Sequence, residues 1–151
     1  MSDPAYQYAL RLLTGRDYSV AGIRKKLAER RVAENDLEAT LDRLQREGWL
    51  DDTRYAERFA EAALSSGRYY GARLRMEMRR KGFSADVIDE ALAPLQAERN
   101  ESAEVREAAE RRFPGFSYVA ASDRDKRRVV GFLQRRGFGF AAIIQALRAE
   151  E

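Results

Sequence analysis

The chain has 151 residues, 44% hydrophobic and 35% charged, with 28 basic and 25 acidic side chains and a net charge of +3. It contains no cysteine and no histidine, which excludes disulfides, thiolate metal ligands and the commonest general base. We therefore predict no enzymatic activity, no cofactor and no metal site, although carboxylates with a hard metal remain an open alternative. No apolar run approaches the roughly 20 residues that span a bilayer, and no secretory signal is visible. We expect a cytoplasmic protein.

Apolar residues recur at helical spacing along almost the whole chain, and no stretch alternates in the manner of a strand. Asp3 followed by Pro4 indicates a helix start, and Ser122 to Asp125 matches a capping box. Glycine accepts the left-handed conformation that ends many helices, and it stands at three expected ends: Gly48, Gly82 and Gly137. The sequence predicts an all-α protein with helices over 4–14, 19–31, 34–47, 52–66, 70–81, 85–96, 98–112, 123–136 and 140–149.

A repeat unit relates the segments 23–32, 74–83 and 129–138, which are offset by 51 and 55 residues. Each segment has two apolar residues four apart, then basic residues, then a closing apolar residue. The pattern predicts three tandem three-helix repeats, at 1–50, 51–97 and 98–151. A three-helix unit of this size buries little by itself, so we expect the repeats to stack into an elongated, curved array.

A family resemblance rests on the run Gly48-Trp49-Leu50-Asp51-Asp52-Thr53-Arg54-Tyr55-Ala56, which resembles the G-x-L-D-D-x-x-[FY]-A signature of the RecX regulatory family. Arg16-x-x-Ser19 with Lys26-Leu27, Gly71-x-x-Leu74-x-x-Glu77-Met78-x-x-Lys81-Gly82 and Arg136-Gly137-Phe138-x-x-x-x-Ile143 are similar to the other anchors of that family. Met78 departs from the pattern, since leucine is usual there. The likeness covers nearly the whole chain.

This resemblance implies a regulator of the RecA recombinase. Such proteins bind the RecA filament on single-stranded DNA, lodge in its helical groove, and usually lower strand exchange, ATP hydrolysis and co-protease activity. The expected partner is therefore the RecA filament, and the protein is expected to be a monomer. Direct contact with single- or double-stranded DNA is left open.

Basic side chains concentrate on the second helix of each predicted repeat. A charged helix face is usually only solvated, but the same element is basic in all three repeats, so these helices could form one positive stripe. Such a stripe would suit phosphates or an acidic groove on a protein filament. The predicted contact residues are Arg24, Lys25, Arg68, Arg73, Arg75, Arg79, Arg128 and Arg135.

The signature residues are predicted to be structural. Asp51 and Asp52 precede an apolar helix and suit N-terminal capping, and Leu50, Tyr55 and Ala56 complete the motif.

Three aromatic residues, Trp49, Tyr55 and Phe59, are expected to pack the junction between the first two repeats. One of Tyr69 and Tyr70 is expected to be exposed, where it could stack on a base. The glutamates of the helix at 98–112 are expected to form a solvated face.

An autonomous DNA-binding protein is the alternative function, because three-helix units resemble helix-turn-helix modules. Binding to duplex DNA would then weaken steeply with salt in the absence of RecA.

Overall fold

A computed structural model describes residues 3–149, which form nine α-helices and no β-strand. The all-α prediction is confirmed, and the helix bounds agree with the predicted ranges to within a few residues. The helices are α1 (Pro4–Gly15), α2 (Val20–Glu29), α3 (Glu34–Arg46), α4 (Asp52–Ser66), α5 (Gly71–Arg80), α6 (Ala85–Ala97), α7 (Glu101–Arg112), α8 (Asp123–Arg136) and α9 (Phe140–Ala149).

Side chains and glycines set the helix ends as their sequence positions predict. The Asp3 carboxylate accepts hydrogen bonds from the N–H groups of Ala5 and Tyr6, and Ser122 Oγ accepts one from the Asp125 N–H. The three predicted end glycines all have positive φ: +83° at Gly48, +97° at Gly82 and +115° at Gly137.

The helices α2 and α7 depart most from their predicted ranges. α7 begins at Glu101 rather than at residue 98, because Asn100 caps it by accepting a 3.0 Å hydrogen bond from the Ala103 N–H. α2 ends at Glu29, and Arg31 has a φ of +59°. Arg31 thus occupies the left-handed position that glycine takes at the end of α5 and α8.

The chain packs as two compact units, one made of residues 3–60 and 77–93 and the other of residues 61–76 and 94–149. In the first unit, α1, α2 and α3 pack on one another around a core of Tyr6, Ala9, Ile23, Leu27, Leu37, Leu41, Leu44 and Leu50. In the second, α7, α8 and α9 do so around Tyr70, Val105, Ala108, Ala109, Val129, Leu133, Phe138, Ile143, Ala146 and Leu147. The predicted repeat boundaries at 50/51 and 97/98 stay a prediction.

We expected Trp49, Tyr55 and Phe59 to pack the junction between the first two repeats, and this expectation is wrong for Trp49. Its side chain is 52% exposed, whereas Leu50, the next residue, is 2% exposed and fills the core instead. Tyr55 is half-buried and packs edge-on against Phe83, with ring centroids 5.1 Å apart. Phe59 is also half-buried.

In each unit, the end of one of the helices α2, α5 and α8, which are rich in basic residues, closely approaches the start of another. We call each of these contacts a joint. In the first joint, Ser19 Oγ donates a hydrogen bond to the Lys81 carbonyl, and a Cβ added to Gly82 would lie 2.6 Å from the Ala21 Cβ. In the second joint, the Tyr70 N–H donates to the Arg136 carbonyl at 2.8 Å. A Cβ added to Gly137 would overlap the Tyr70 carbonyl.

Asp52 stabilises the start of α2. Its Oδ1 accepts a 2.9 Å hydrogen bond from the Val20 N–H, whereas Asp51 caps α4 by accepting from the Arg54 N–H at 3.2 Å. The expectation that both carboxylates cap α4 therefore holds for Asp51 only. Burial raises the pKa of the Asp52 carboxyl; the bond from Val20 lowers this pKa, and the charge of Asp51 raises it further, with a net increase.

Two glycines, Gly131 inside α8 and Gly137 at its C-terminal end, should respond oppositely to substitution by alanine. Gly131 lies inside α8, where an added Cβ would meet only the flexible tip of Arg135 at 3.3 Å. We expect Gly131→Ala to raise the free energy of unfolding by about 0.5–1 kcal/mol. Gly137→Ala should lower it by at least about 2 kcal/mol, because the left-handed φ and the clash with backbone add up. Urea unfolding of both variants measures this, and equal stabilities would contradict the second joint's tight geometry.

The pH dependence of stability tests the environment of Asp52. Because folding raises the pKa of this carboxyl, its ionisation lowers stability as pH rises from its usual value of 3.8 through the folded-state value. Asp52→Asn keeps an oxygen acceptor for the Val20 N–H, so we expect it to be at least as stable as the parent at pH 7. Asp52→Ala should lose about 1 kcal/mol.

Unfolding curves of the parent and both Asp52 variants between pH 3 and 7 provide the measurement. The gain of Asp52→Asn over the parent should shrink as pH falls. A loss of about 1 kcal/mol in Asp52→Asn at pH 7 would show instead that the charge itself stabilises the cap.

Candidate partner-binding surface

The second helices α2, α5 and α8 carry their basic residues at or near the surface. Of the eight predicted contact residues, two are half-buried, Arg73 and Arg75. The other six are exposed: Arg24, Lys25, Arg68, Arg79, Arg128 and Arg135. Their immediate partners differ, and these partners decide how much positive charge each part of the surface presents.

The second joint brings three of the predicted residues together. The Arg73 Nη1 donates a 3.2 Å hydrogen bond to the Arg135 carbonyl. The guanidinium carbons of Arg68 and Arg73 lie 5.4 and 5.2 Å from the centre of the Tyr69 ring. Cation–π contacts of this kind hold long side chains over a ring while their donors stay available. Tyr69 is half-buried, and Tyr70 is only 4% exposed and stacks on Phe138.

The first joint carries a basic cleft of about 320 Å³, which contains Lys25. Asp17 and Glu29 are the two acids that line it. Arg58 pairs with Asp17 at 3.2 Å, and Lys26 lies 3.9 Å from Glu29. The basic residues that line the cleft are Arg16, Lys25, Lys26, Arg80 and Lys81, so positive charge exceeds negative charge there.

Arg24 does not line this basic cleft. It forms an ion pair with Glu38 of α3, and Glu34 lies 4.0 Å from the same guanidinium nitrogen. The Arg24 guanidinium holds the pKa of the Glu38 carboxyl below its usual range. The positive charge of Arg24 is therefore balanced locally.

Three predicted residues remain, namely Arg75, Arg79 and Arg128. Arg128 lies 5.3 Å from the centre of the Phe113 ring, in a hollow that Asp125 also lines. Arg79 is exposed in the last turn of α5, and Arg75 is half-buried on the same helix.

Sequence reasoning missed two arginines of α7. Arg111 and Arg112 join Arg68 and Arg136 around a cleft of about 330 Å³ in the second unit. Because this helix is rich in glutamate, the sequence led us to expect a solvated acidic face and no contact surface. A usable signal does exist, because α7 and α8 each end in a pair of arginines.

The five signature residues are buried or make contacts inside the first unit. Leu50 and Ala56 are buried, Tyr55 packs on Phe83, and Asp51 and Asp52 accept hydrogen bonds from the starts of α4 and α2.

Residues 3–149 contain neither a metal-binding cluster nor a membrane-spanning helix. This range holds no cluster of three or more Asp or Glu side chains arranged to bind a metal ion. None of its helices is long and apolar enough to cross a membrane.

Three family models match the chain in order. Their descriptions are RecX first, second and third three-helix domain, and they match residues 5–44, 51–92 and 100–147. The regulatory protein RecX of Trichlorobacter lovleyi is 47% identical over 133 residues, which cover 88% of this chain and 86% of that protein. The one from Syntrophotalea carbinolica is 33% identical, over 97% and 95% of the two chains.

The fold is also similar to solved structures. The crystal structure of RecX from Lactobacillus salivarius superposes with a TM-score of 0.75, covers 97% of this chain and 94% of its own, and is 18% identical. At that identity the likeness shows the fold alone. The matched models and the identity to the curated relatives show the family: this chain belongs to the RecX family of regulatory proteins.

Proposed function

We propose that this chain binds the filament that RecA recombinase forms on single-stranded DNA and inhibits it. Binding would lower strand exchange, ATP hydrolysis and co-protease activity, through blocked filament growth or filament destabilisation. The proposal extends the family's regulatory role to a specific partner and effect.

The second joint is the observation that carries the proposal. Arg68 and Arg73 lie over Tyr69, and Arg73 is anchored to the carbonyl of Arg135. An aromatic ring surrounded by guanidinium groups is the composition that protein interfaces favour at their energetic centres. The same groups suit an acidic surface of a protein filament. The proposed contact residues are Arg24, Lys25, Arg68, Arg73, Arg75, Arg79, Arg128 and Arg135.

We propose a binding mechanism without catalysis by this chain. The sequence has neither cysteine nor histidine, and its signature carboxylates Asp51 and Asp52 are engaged with backbone N–H groups. Regulation would then follow from occupancy of the filament.

DNA-dependent ATP hydrolysis by the cognate RecA tests this function. Titrating the chain at substoichiometric ratios should lower the hydrolysis rate. Reversal of three charges on α5, Arg73→Glu, Arg75→Glu and Arg79→Glu, should raise the concentration needed by at least about tenfold, because like charges then face the partner.

A matched triple variant controls for net charge. Arg11→Glu, Arg46→Glu and Arg54→Glu change the charge equally at exposed positions of α1, α3 and α4, and this variant should inhibit as the parent does. If the α5 variant inhibited as strongly as the parent, α5 would not be part of the surface that contacts the filament. If the parent chain left ATP hydrolysis unchanged under conditions in which RecA filaments form, the proposal that it inhibits RecA would be contradicted.

The alternative, an autonomous DNA-binding protein, makes a different prediction. Such a protein would bind duplex DNA without RecA, with an affinity that falls steeply between low and physiological salt. Fluorescence anisotropy on labelled duplex measures this directly.

A further inference from the structure

The cleft in the second unit is lined by four arginines: Arg68, Arg111, Arg112 and Arg136. It lies where the turn after α4 meets the last turns of α7 and α8. No carboxylate lines it, and its apolar wall includes Phe132. We call this feature the arginine cleft. Guanidinium groups repel one another, so their convergence needs either an anion or strong solvation.

Backbone carbonyls fix two of these arginines. Arg111 Nη1 donates to the Ser66 carbonyl at 3.0 Å, and Arg136 Nη1 donates to the Arg68 carbonyl at 3.2 Å. The Arg111 guanidinium lies close against this turn: Gly67 has a φ of +71°, and a Cβ added there would lie 2.6 Å from Arg111 Nη1. Each guanidinium has five N–H donors, so one bond to a carbonyl orients the group and leaves donors for a ligand.

The charges of the arginine cleft are mostly unbalanced by protein carboxylates. Arg111 pairs with Glu107 at 2.8 Å. Within residues 3–149, Arg68 and Arg112 have ring contacts, to Tyr69 at 5.4 Å and Phe113 at 5.1 Å, but no carboxylate within ion-pair distance. Four guanidinium groups thus face one acid, which leaves a local excess of positive charge.

We propose that the arginine cleft binds phosphate groups, either the phosphate chain of a nucleoside triphosphate or the phosphodiesters of a DNA strand. The planar fork of arginine matches phosphate oxygens two at a time. The terminal phosphate of a nucleotide carries more negative charge than a carboxylate, whereas a DNA strand presents one negative charge at each successive phosphodiester. Either ligand would place several anionic oxygens against the cluster of arginines, which a single acidic side chain does not. A cleft of about 330 Å³ is large enough for a diphosphate.

Direct binding without RecA tests the proposal, so its outcome is independent of the ATP hydrolysis assay. The probes are pyrophosphate and ATP by isothermal titration calorimetry, and a fluorescein-labelled oligothymidylate of about ten nucleotides by anisotropy. The variant is Arg68→Gln with Arg112→Gln, because neither side chain makes a hydrogen bond that holds the turn. We expect it to weaken binding at least about tenfold.

The control variant also removes two positive charges, but at positions outside the arginine cleft. Arg124→Gln with Arg127→Gln lies on exposed positions of α8 outside the arginine cleft, and we expect a change below about twofold, from the loss of net charge alone. Circular dichroism melts of both variants verify that each is folded.

The probes distinguish the source of the phosphate. Binding of pyrophosphate and ATP that depends on Arg68 and Arg112 supports a nucleotide ligand, and binding of the oligothymidylate alone, with the same dependence, supports a DNA strand. Three results would overturn the proposal: no binding of any probe, equal weakening in the control, or tighter binding of a polyglutamate peptide at the same residues.

Discussion

The joints between basic helices depend on head-to-tail contact of helix ends. At the first joint the carbonyl end of α5 meets Ser19 at the start of α2, and at the second the carbonyl end of α8 meets Tyr70 at the start of α5. A helix carries partial negative charge at its C-terminus and partial positive charge at its N-terminus, so both contacts are electrostatically favourable. They also satisfy carbonyls that a helix end leaves without partners. Gly82 and Gly137 permit the approach because a Cβ at either position would meet the neighbouring chain.

The same arrangement explains where the positive charge collects. Basic residues in the last turn stabilise a helix C-terminus, and α5 and α8 both end in arginine pairs. A joint places such an end against the start of another basic helix, so guanidinium and ammonium groups gather beside it. Part of the basic composition therefore serves helix stability, and Arg24 of α2 pairs with Glu38 of α3. At the second joint, backbone carbonyls orient Arg73 and Arg136. In the cleft of the first joint, Arg16 lies over the Tyr18 ring instead.

The helices could be predicted closely because their signals are local. Asp3, Ser122 and the three end glycines act within one turn of chain. Arg31 shows the limit of that reasoning: it adopts a φ of +59° at the position equivalent to Gly82 and Gly137. A left-handed φ alone therefore does not require glycine here; the close neighbour does, and that neighbour is remote in sequence. The capping role of Asp51 was likewise predictable, but the acceptor role of Asp52 toward Val20, across 32 residues, was not.

The candidate site was harder to predict than the fold, for a physical reason. Arg111 and Arg136 are held by carbonyls 45 and 68 residues away in the chain. Because every residue has a backbone carbonyl, a hydrogen bond to a carbonyl does not require a particular residue type and produces no motif in the sequence. The recognisable motif, Leu50 to Ala56, instead marks burial and capping, which depend on residue type at fixed spacing. The residues of this motif therefore make contacts within the fold. The residues proposed to bind the protein's partners are defined by which helix ends the fold brings together.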